Sequence, residues 1–584
     1  MNIQEFEILK SLLHYPFINQ RILASTSGYS LGKVNQSLKW LQQNEYLTAD
    51  MKITEKTEQR LRQYRPKNAI ILAAGYGLRM IPINSEVPKG LIEIDGQALI
   101  ERLIEQLHEA GVYDITIVVG FMKEHYEYLI DKYSVTLKVN MDYATKNNIH
   151  SLGLVADKIG NTYILPCDVW CETNPFSQQE LFSWYMVTDL VDDDSYVRVN
   201  RKLELVQTTQ SGNQMIGISY ITGDVIKPFV ENLTRLLSSG QNYDKFWEDA
   251  LFLNDKMMAA AKIASSKNTV EINTFEQLRE FDSNSSQLKS AAIKKIANIM
   301  QVPPDDIKNI TVVKKGMTNR SFLFTCKGRQ YMMRIPGEGT DKMINRKQEY
   351  AVYQTIKNLA ISDIIQFIDP ENGYKITTFW ENARTCDPEN FDDVALCMQR
   401  LRQFHNMKLT VGHKFDIFGQ IEYYESLWNG ASSCYRDYAE TKRKVFELKP
   451  YIISQPKDYC LTHIDAVPDN FLFLQKEDGD VEIRLIDWEY SGMQDPHVDI
   501  AMFAIYSLYS HEQIEKLIDC YFPEKCALPV RLKIYCYIAA CGLLWSNWCE
   551  YKRQLGVEFG EYSLRQYRYA KDYYKRFQEL RSLL

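Results

Sequence analysis

The sequence predicts a multidomain α/β and α+β chain: a small helical module, a domain built on a parallel sheet, and a larger domain of two lobes. Three observations carry this. A chain of 584 residues is too long for one hydrophobic core. An apolar run, Asn68 to Ala74, enters a glycine turn, and a strand–helix rhythm repeats behind it. Far downstream, Leu461 to Phe473 and Arg484 to Tyr490 alternate apolar strands with acidic ends around a short turn, Lys476 to Asp480.

Composition narrows the class. The chain is 45% hydrophobic and 24% charged, a globular balance. Aromatic residues make up 12%, with 37 Tyr, enough to build rings around a cation. A net charge of −7 argues against nucleic acid as the partner of the whole chain. Twelve Cys occur without paired C-x-x-C repeats, so no zinc site is expected. Scattered cysteines fit a reducing compartment, and the expected location is cytoplasmic. The N-terminus lacks a basic region followed by an apolar one, and no run reaches the roughly 18–20 apolar residues of a span, so neither signal peptide nor membrane span is expected.

In residues 1–66, Phe6, Leu9, Leu12 and Leu13 share a helical face. A second helix covers Asn19 to Ser25. A third starts near Ser30 with Val34, Leu38 and Leu41 as its buried stripe. A short extended turn, Ala49 to Ile53, precedes a last helix, Glu55 to Tyr64. The outline resembles the winged-helix superfamily, in which the third helix enters a major groove. Its polar residues, Lys33, Asn35, Gln36, Ser37, Lys39, Gln42 and Gln43, include only two lysines, a thin footprint for DNA. A protein-interaction or regulatory module is therefore favoured over a DNA reader.

In residues 67–288, the strand Asn68 to Ala74 runs into Gly75-Tyr-Gly77-Leu-Arg79, and Lys89 follows Arg79 by ten residues. Glycines let the backbone close over a triphosphate and offer it N–H groups. Arg79 and Lys89 can neutralise the charge that builds on a leaving pyrophosphate. The predicted strand–helix order continues: helix Gly96 to Ala110, strand Asp114 to Val119, helix Lys123 to Tyr133, strand Val135 to Asn140. Alternation of this kind gives a parallel sheet with ligands at the strands' carboxyl ends. Tyr163 to Asp168 is a strand that ends in a carboxylate.

The string Leu72-Ala73-Ala74-Gly75-x-Gly77-x-Arg79 with Lys89 resembles the sugar-nucleotide and phosphocholine nucleotidyltransferases to about Phe281. This implies a Rossmann-like, GT-A-like sheet, nucleotide contacts from Leu72, Ala73, Ala74, Gly75 and Gly77, catalysis by Arg79 and Lys89, and magnesium on Asp168 and Asn273. Leu78 replaces the Ser or Thr common there. Met141 to Leu152, with Asn147-Asn148 and Ser151-Leu152, resembles the phosphocholine cytidylyltransferases more narrowly, which points to CTP. Phe246 and Trp247, in Phe-Trp-Glu-Asp249, resemble the segment near their choline site; the alternative is helix core. Ser195 to Leu205 lacks a Trp expected of bacterial members. Asp192 to Asp194 reads as a solvated loop.

In residues 289–584, Asp465 and Asn470 lie five apart on one loop, and Asp487 ends the next strand. Phosphoryl transfer from ATP needs a carboxylate to orient and deprotonate the attacking hydroxyl, and an amide and a second carboxylate to hold magnesium. Asp465 suits the first role, Asn470 and Asp487 the second, with Glu489 a further metal partner. Protein kinases use the same spacing. An Asx-turn and an N-cap are the bland alternative, opposed by the agreement of two motifs in order and separation. The variant His463-x-Asp465-x-x-x-x-Asn470, then Ile486-Asp-Trp-Glu489, resembles the choline and ethanolamine kinases and the aminoglycoside phosphotransferases. It implies a bilobal protein-kinase-like fold. Gly316 to Asn319 resembles their nucleotide loop, with Asn319 facing phosphates. Arg334 stands where protein kinases carry Lys, with Glu349 as its partner. Trp545, Trp548 and Phe559, with Glu489, resemble the part that boxes a quaternary ammonium; a core stripe is the alternative. Asp499 is expected to brace the catalytic loop, and His405 to be a structural hydrogen-bonder.

Together these imply ATP-dependent phosphorylation of choline, then CTP plus phosphocholine to CDP-choline and pyrophosphate, with Mg²⁺ in both sites. The resemblance alone adds phosphocholine decoration of surface polysaccharides. Rival readings are an ethanolamine or sugar kinase fused to another nucleotidyltransferase, a winged-helix regulator sensing choline metabolites, and a scaffold with one dead site. The sequence fixes no oligomeric state.

Overall fold

The structure, a computed structural model, describes all residues except 240, 241, 243, 314–318, 338, 339, 341, 342, 477, 478, 555, 556, 558, 583 and 584, and the side chain of Asn319. The chain forms two compact units, Met1–Lys294 and Lys295–Leu584. The first holds residues 1–66 together with the nucleotidyltransferase-like segment.

The N-terminal helices are Ile3–His14, Gln20–Ser27, Leu31–Gln43 and Glu55–Gln63. Each starts on a side chain that accepts from the first turn: Asn2, Asn19, Ser30 and Thr54. Ile8, Leu9, Leu12, Val34, Leu38 and Leu41 close a small core. The expected hairpin is reduced to one antiparallel bridge, Leu47 with Ile53. Phe6 turns outward from that core and meets Phe182 edge-on at 5.4 Å.

The large sheet has ten strands, in the order Thr136–Val139, Asp114–Val119, Asn68–Ala73, Thr162–Pro166, Gly212–Ile221, Trp184–Asp192, Lys256–Ala264, Glu204–Gln207, Val197–Val199, with Phe252–Leu253 on the flank. The first four run parallel, as do Trp184–Asp192 and Lys256–Ala264 as a pair; Gly212–Ile221 pairs antiparallel to Thr162–Pro166. The expected parallel sheet is thus a mixed one. Every residue of Asn68–Ala73 is buried, because Ala69, Ile71 and Ala73 pack on one face and Ile70 and Leu72 on the other. Helix Leu99–Glu109 covers the first face, and helix Ile226–Ser238 the second. The expected helix start at Gly96 moves to Leu99. Asp95 and Gly96, at φ 50° and 78°, form the turn of a small hairpin, Glu93–Ile94 with Gln97–Ala98. The expected helix Lys123–Tyr133 is two pieces, a 3₁₀ turn Lys123–Tyr126 and helix Tyr128–Tyr133.

The second unit has a five-stranded antiparallel sheet, Lys308–Val312, Asn319–Cys326, Arg329–Pro336, Lys375–Thr378, Ile365–Ile368, with helix Arg346–Ile356 beside it. The rest is mainly helical. Its centre is helix Leu528–Gln554, packed on Glu561–Arg581 and His497–Tyr506. That helix is long and apolar enough to cross a membrane, which the sequence reading missed; 78% of its apolar window is buried in the fold. Short strands Cys460–Thr462, Phe471–Gln475, Val481–Leu485 and Gly492–Gln494 carry the catalytic loops.

Candidate active sites

In the first unit the site forms where Asn68–Ala73 and Thr162–Pro166 end side by side. Gly77 sits at φ 59°, and a Cβ there would lie 3.2 Å from Lys89 Cβ, so this turn requires glycine. Leu72, Ala73 and Ala74 are buried beneath it. Lys89 Nζ donates to Asp168 and, at 2.7 Å, to Asn273 Oδ1; Arg79 Nη2 reaches the same oxygen at 3.0 Å. Two cations and both expected metal ligands therefore meet at one point. Asp168 Oδ1 is buried with no hydrogen-bond partner among the described residues. An orphaned carboxylate oxygen beside an amide oxygen is a donor pair that fits a hard divalent cation. The sequence reading missed Glu271. Its strand pairs with Val169–Cys171, and burial, then Asp168, pushes its carboxyl up.

The Asn147-Asn148 motif acts as a clasp: Asn148 Oδ1 accepts from Trp247 N at 2.9 Å, and Asn147 Nδ2 donates to Asp244 O at 2.8 Å. The segment so held departs from expectation at Trp247. This side chain is 1% exposed, 6.0 Å from Tyr185 and 6.1 Å from Phe229. It is sheet core, because the clasp turns it inward. Phe246 stays open, 53% exposed. The next residue is an acid. Glu248 is buried; its Oε1 takes the Tyr185 hydroxyl at 3.2 Å, and its Oε2 has no partner among the described residues. Burial pushes its carboxyl up to about 8. In the stretch that lacked the expected Trp, Tyr196 packs against Phe252 at 6.1 Å, and burial, then Glu248 and Asp249, pushes its phenol up.

In the second unit Asp465 follows Cys460–Thr462. Asp499 braces the loop: its carboxylate accepts from His463 N at 2.9 Å and Ile464 N at 2.7 Å, and contacts His405 Nε2 at 2.9 Å. Ile464 and Asp487 sit at φ 71° and 65°, backbone strain that the braces hold in place. Asn470 Nδ2 donates to Asp465 Oδ2 at 3.1 Å, and Ile486 N to Asn470 O at 2.9 Å, so the three motif residues share one framework. Desolvation, then Asp487 and Glu489, raises Asp465 to about 8. Arg334 Nη1 lies 2.7 Å from Glu349 Oε1 and 3.7 Å from Asp487 Oδ1. Against the effect of burial, Arg334 brings Glu349 down to about 2. Asn319 begins a strand, but its side chain and Gly316 to Thr318 lie outside the described residues.

A row of rings runs from the catalytic acids to the surface. Tyr490 meets Trp545 at 5.6 Å, Trp545 meets Trp548 at 5.4 Å, Trp548 meets Phe559 at 5.0 Å, and Phe559 meets Tyr562 at 6.4 Å. Burial above all raises the phenols of Tyr490, Tyr506 and Tyr562, and Asp465 is among the nearby groups that add to the rise in each. Lys552 Nζ lies 5.6 Å from the Trp548 centroid, so this ring already offers its face to a cation. Tyr490, Tyr506 and Tyr562 were not singled out from sequence; only their place beside Asp465 marks them.

Residues 310–520 match the choline/ethanolamine kinase family, and residues 69–181 the MobA-like NTP transferase domain. The choline-phosphate cytidylyltransferase of Streptococcus pneumoniae is 30% identical over 228 residues, covering 37% of this chain and 96% of that protein. The 2-aminoethylphosphonate cytidylyltransferase of Lancefieldella rimae is 31% identical over 231 residues, 36% of this chain and 92% of that protein. Protein LicA of Haemophilus influenzae is 28% identical over 267 residues, 43% of this chain and 75% of that protein.

Proposed function

Because the chain belongs through its first unit to the cytidylyltransferase family of its Streptococcus pneumoniae relative, and carries a choline/ethanolamine kinase domain in its second, we propose that it makes CDP-choline from choline in two steps. The observation that carries this is the row of rings beside Asp465, a site shaped for a cation next to a base and a metal-binding pair.

In the kinase, the rings hold the trimethylammonium while the expected choline partner Glu489 is instead paired with Arg334 and Arg346, and Asp465 orients the choline hydroxyl and takes its proton as the γ-phosphoryl group arrives. Arg334 serves the ATP phosphates, with Glu349 holding it in place. In the transferase, the Gly75–Gly77 loop cradles CTP. Phosphocholine oxygen attacks the α-phosphorus, and Arg79 and Lys89 neutralise the departing pyrophosphate. Mg²⁺ would be held by Asp168 and Asn273 in one site and by Asn470 and Asp487 in the other, where it would supply charge neutralisation on phosphate oxygens. We assign residues 1–66, 67–288 and 289–584 to the helical module, the transferase and the kinase. The product's onward use in surface polysaccharide decoration belongs to the same proposal.

Mass spectrometry of the purified chain with choline, ATP, CTP and Mg²⁺ tests it. CDP-choline is expected. Phosphocholine alone would overturn the transferase half, and neither product would overturn both. A second reading, a primary-amine phosphoester as transferase substrate, is favoured by one feature. With Trp247 in the core, only the open ring of Phe246 remains of the aromatic pair, and the carboxylate of Asp249 accepts from the Phe246 N–H at 3.2 Å. Competition between phosphocholine and phosphoethanolamine decides between them.

A further inference from the structure

Within the second unit the kinase acids are held by two arginines. Arg334 Nη2 lies 2.8 Å from Glu349 Oε2 and donates to Gly373 O at 3.1 Å; its Nη1 lies 3.5 Å from Glu489 Oε2. Arg346 opens the helix that carries Glu349, three residues before it. Its Nη1 reaches the same two oxygens, Glu349 Oε2 at 3.1 Å and Glu489 Oε2 at 3.4 Å, and its Nη2 lies 3.3 Å from Thr340 Oγ1. The four charged side chains are 5%, 5%, 0% and 2% exposed for Arg334, Arg346, Glu349 and Glu489. The turn at Gly373 closes over this pair of arginines. Its φ is +72°, and a Cβ there would fall 2.6 Å from Arg346 Cδ.

The sharing matters because Arg334 has a second task. A guanidinium donates in a fixed fork, so turning toward phosphates takes donors away from Glu349 and Glu489. Buried carboxylates left without a counterion are costly, and they would pull Arg334 back. Arg346 serves the same oxygens from the start of the helix that carries Glu349. We propose that Arg346 is a positioning residue: it holds Glu349 and Glu489 so that Arg334 is released to the ATP phosphates. Arg346 has no part in the resemblance that marked Arg334 and Glu349.

The inference rests on the second unit's being an ATP-dependent kinase, not on choline as its substrate. The test therefore reads nucleotide binding first. Calorimetry with a non-hydrolysable ATP analogue and Mg²⁺ is expected to show Kd about tenfold weaker in R346M and about threefold weaker in R346K, since a lysine restores the charge but not the fork. Steady-state kinetics should place the loss in KM for ATP, with KM for choline moved less than about threefold. A collapse of the whole unit would move both. Unchanged ATP affinity in R346M, or equal losses in R346M and R346K, would overturn the proposal. Should R346M fail to fold, R346K alone decides, and wild-type affinity there overturns it. If the wild-type chain binds the analogue but does not phosphorylate choline, the substrate assignment fails and this inference stands on the binding data.

Discussion

In the proposed chemistry each step turns on one residue, Lys89 or Asp465, and each sits in a different compact unit. Lys89 is fixed by Asp168 and Asn273 at the mouth of the glycine loop. K89A should lower CDP-choline formation by about 100-fold or more and leave phosphocholine formation intact. D465A should do the reverse. Assaying each half-reaction separately checks both, and loss of both activities in either variant would contradict independent sites. Glu248 gives a pH test. Its folded-state value, about 8, lies above the ordinary carboxyl value of 4.5, and burial is the cause. The folded state therefore binds a proton that the unfolded chain releases, and stability is lost as pH rises from about 4.5 to 8. In E248Q that loss should vanish, so the variant's melting temperature relative to wild type should climb between pH 5 and pH 8.5. A constant difference would mean that Glu248 is ionised in the fold. Lys89, Asp168 and Asp465 were legible in sequence because their spacing within motifs is short. Glu271 was not, because only the pairing of Thr269–Glu271 with Val169–Cys171 brings it beside Asp168.

At the scale of elements, the strand Asn68–Ala73 and its glycine turn were readable. A run buried on both faces leaves a continuous apolar signal, and the turn shows as its interruption. The long helix Leu528–Gln554 is harder to read. It is buried almost all round, so no polar face marks its period, and only the Trp545–Trp548 spacing pointed to a function. Along the ring row burial falls off: Trp548 is buried, whereas Phe559 beyond it is half-buried. Phe559 can therefore be cut back without opening a core cavity. F559A should raise KM for choline about tenfold, the scale of a desolvated cation–π contact, with KM for ATP unchanged. Equal changes in both constants would make the row a packing element only. Trp247 shows the limit of segment matching. The Phe-Trp-Glu-Asp string was matched as a segment, but the Asn148 clasp holds its Trp247 backbone, and the Trp247 ring is core.

For the molecule as a whole, the open question from sequence was whether residues 1–66 are a tethered reader or part of the enzyme. Within the first unit they are bound to the transferase sheet at three places. Phe6 packs on Phe182, Asn161 Nδ2 donates to Gln63 O at 2.8 Å and Arg65 O at 3.1 Å, and the Tyr220 hydroxyl donates to Tyr64 O. Gly223, at φ +59°, leaves room for the Tyr64 ring, since a Cβ there would lie 2.9 Å from it. Phe182 and Tyr220 belong to or pack against one face of the sheet's core, so removing the module uncovers apolar surface that the sheet was folded beneath. Net charge and the two-lysine helix spoke against DNA; these contacts give the module a structural task that a free DNA reader would not need. Deleting residues 1–66 should lower the melting transition of the transferase unit by several degrees while the kinase transition stays in place. Differential scanning calorimetry with CTP or an ATP analogue, each added to mark its own unit, tells the two apart. If the transferase transition were unmoved, the module would be a tethered domain and its partner would have to be sought outside this chain.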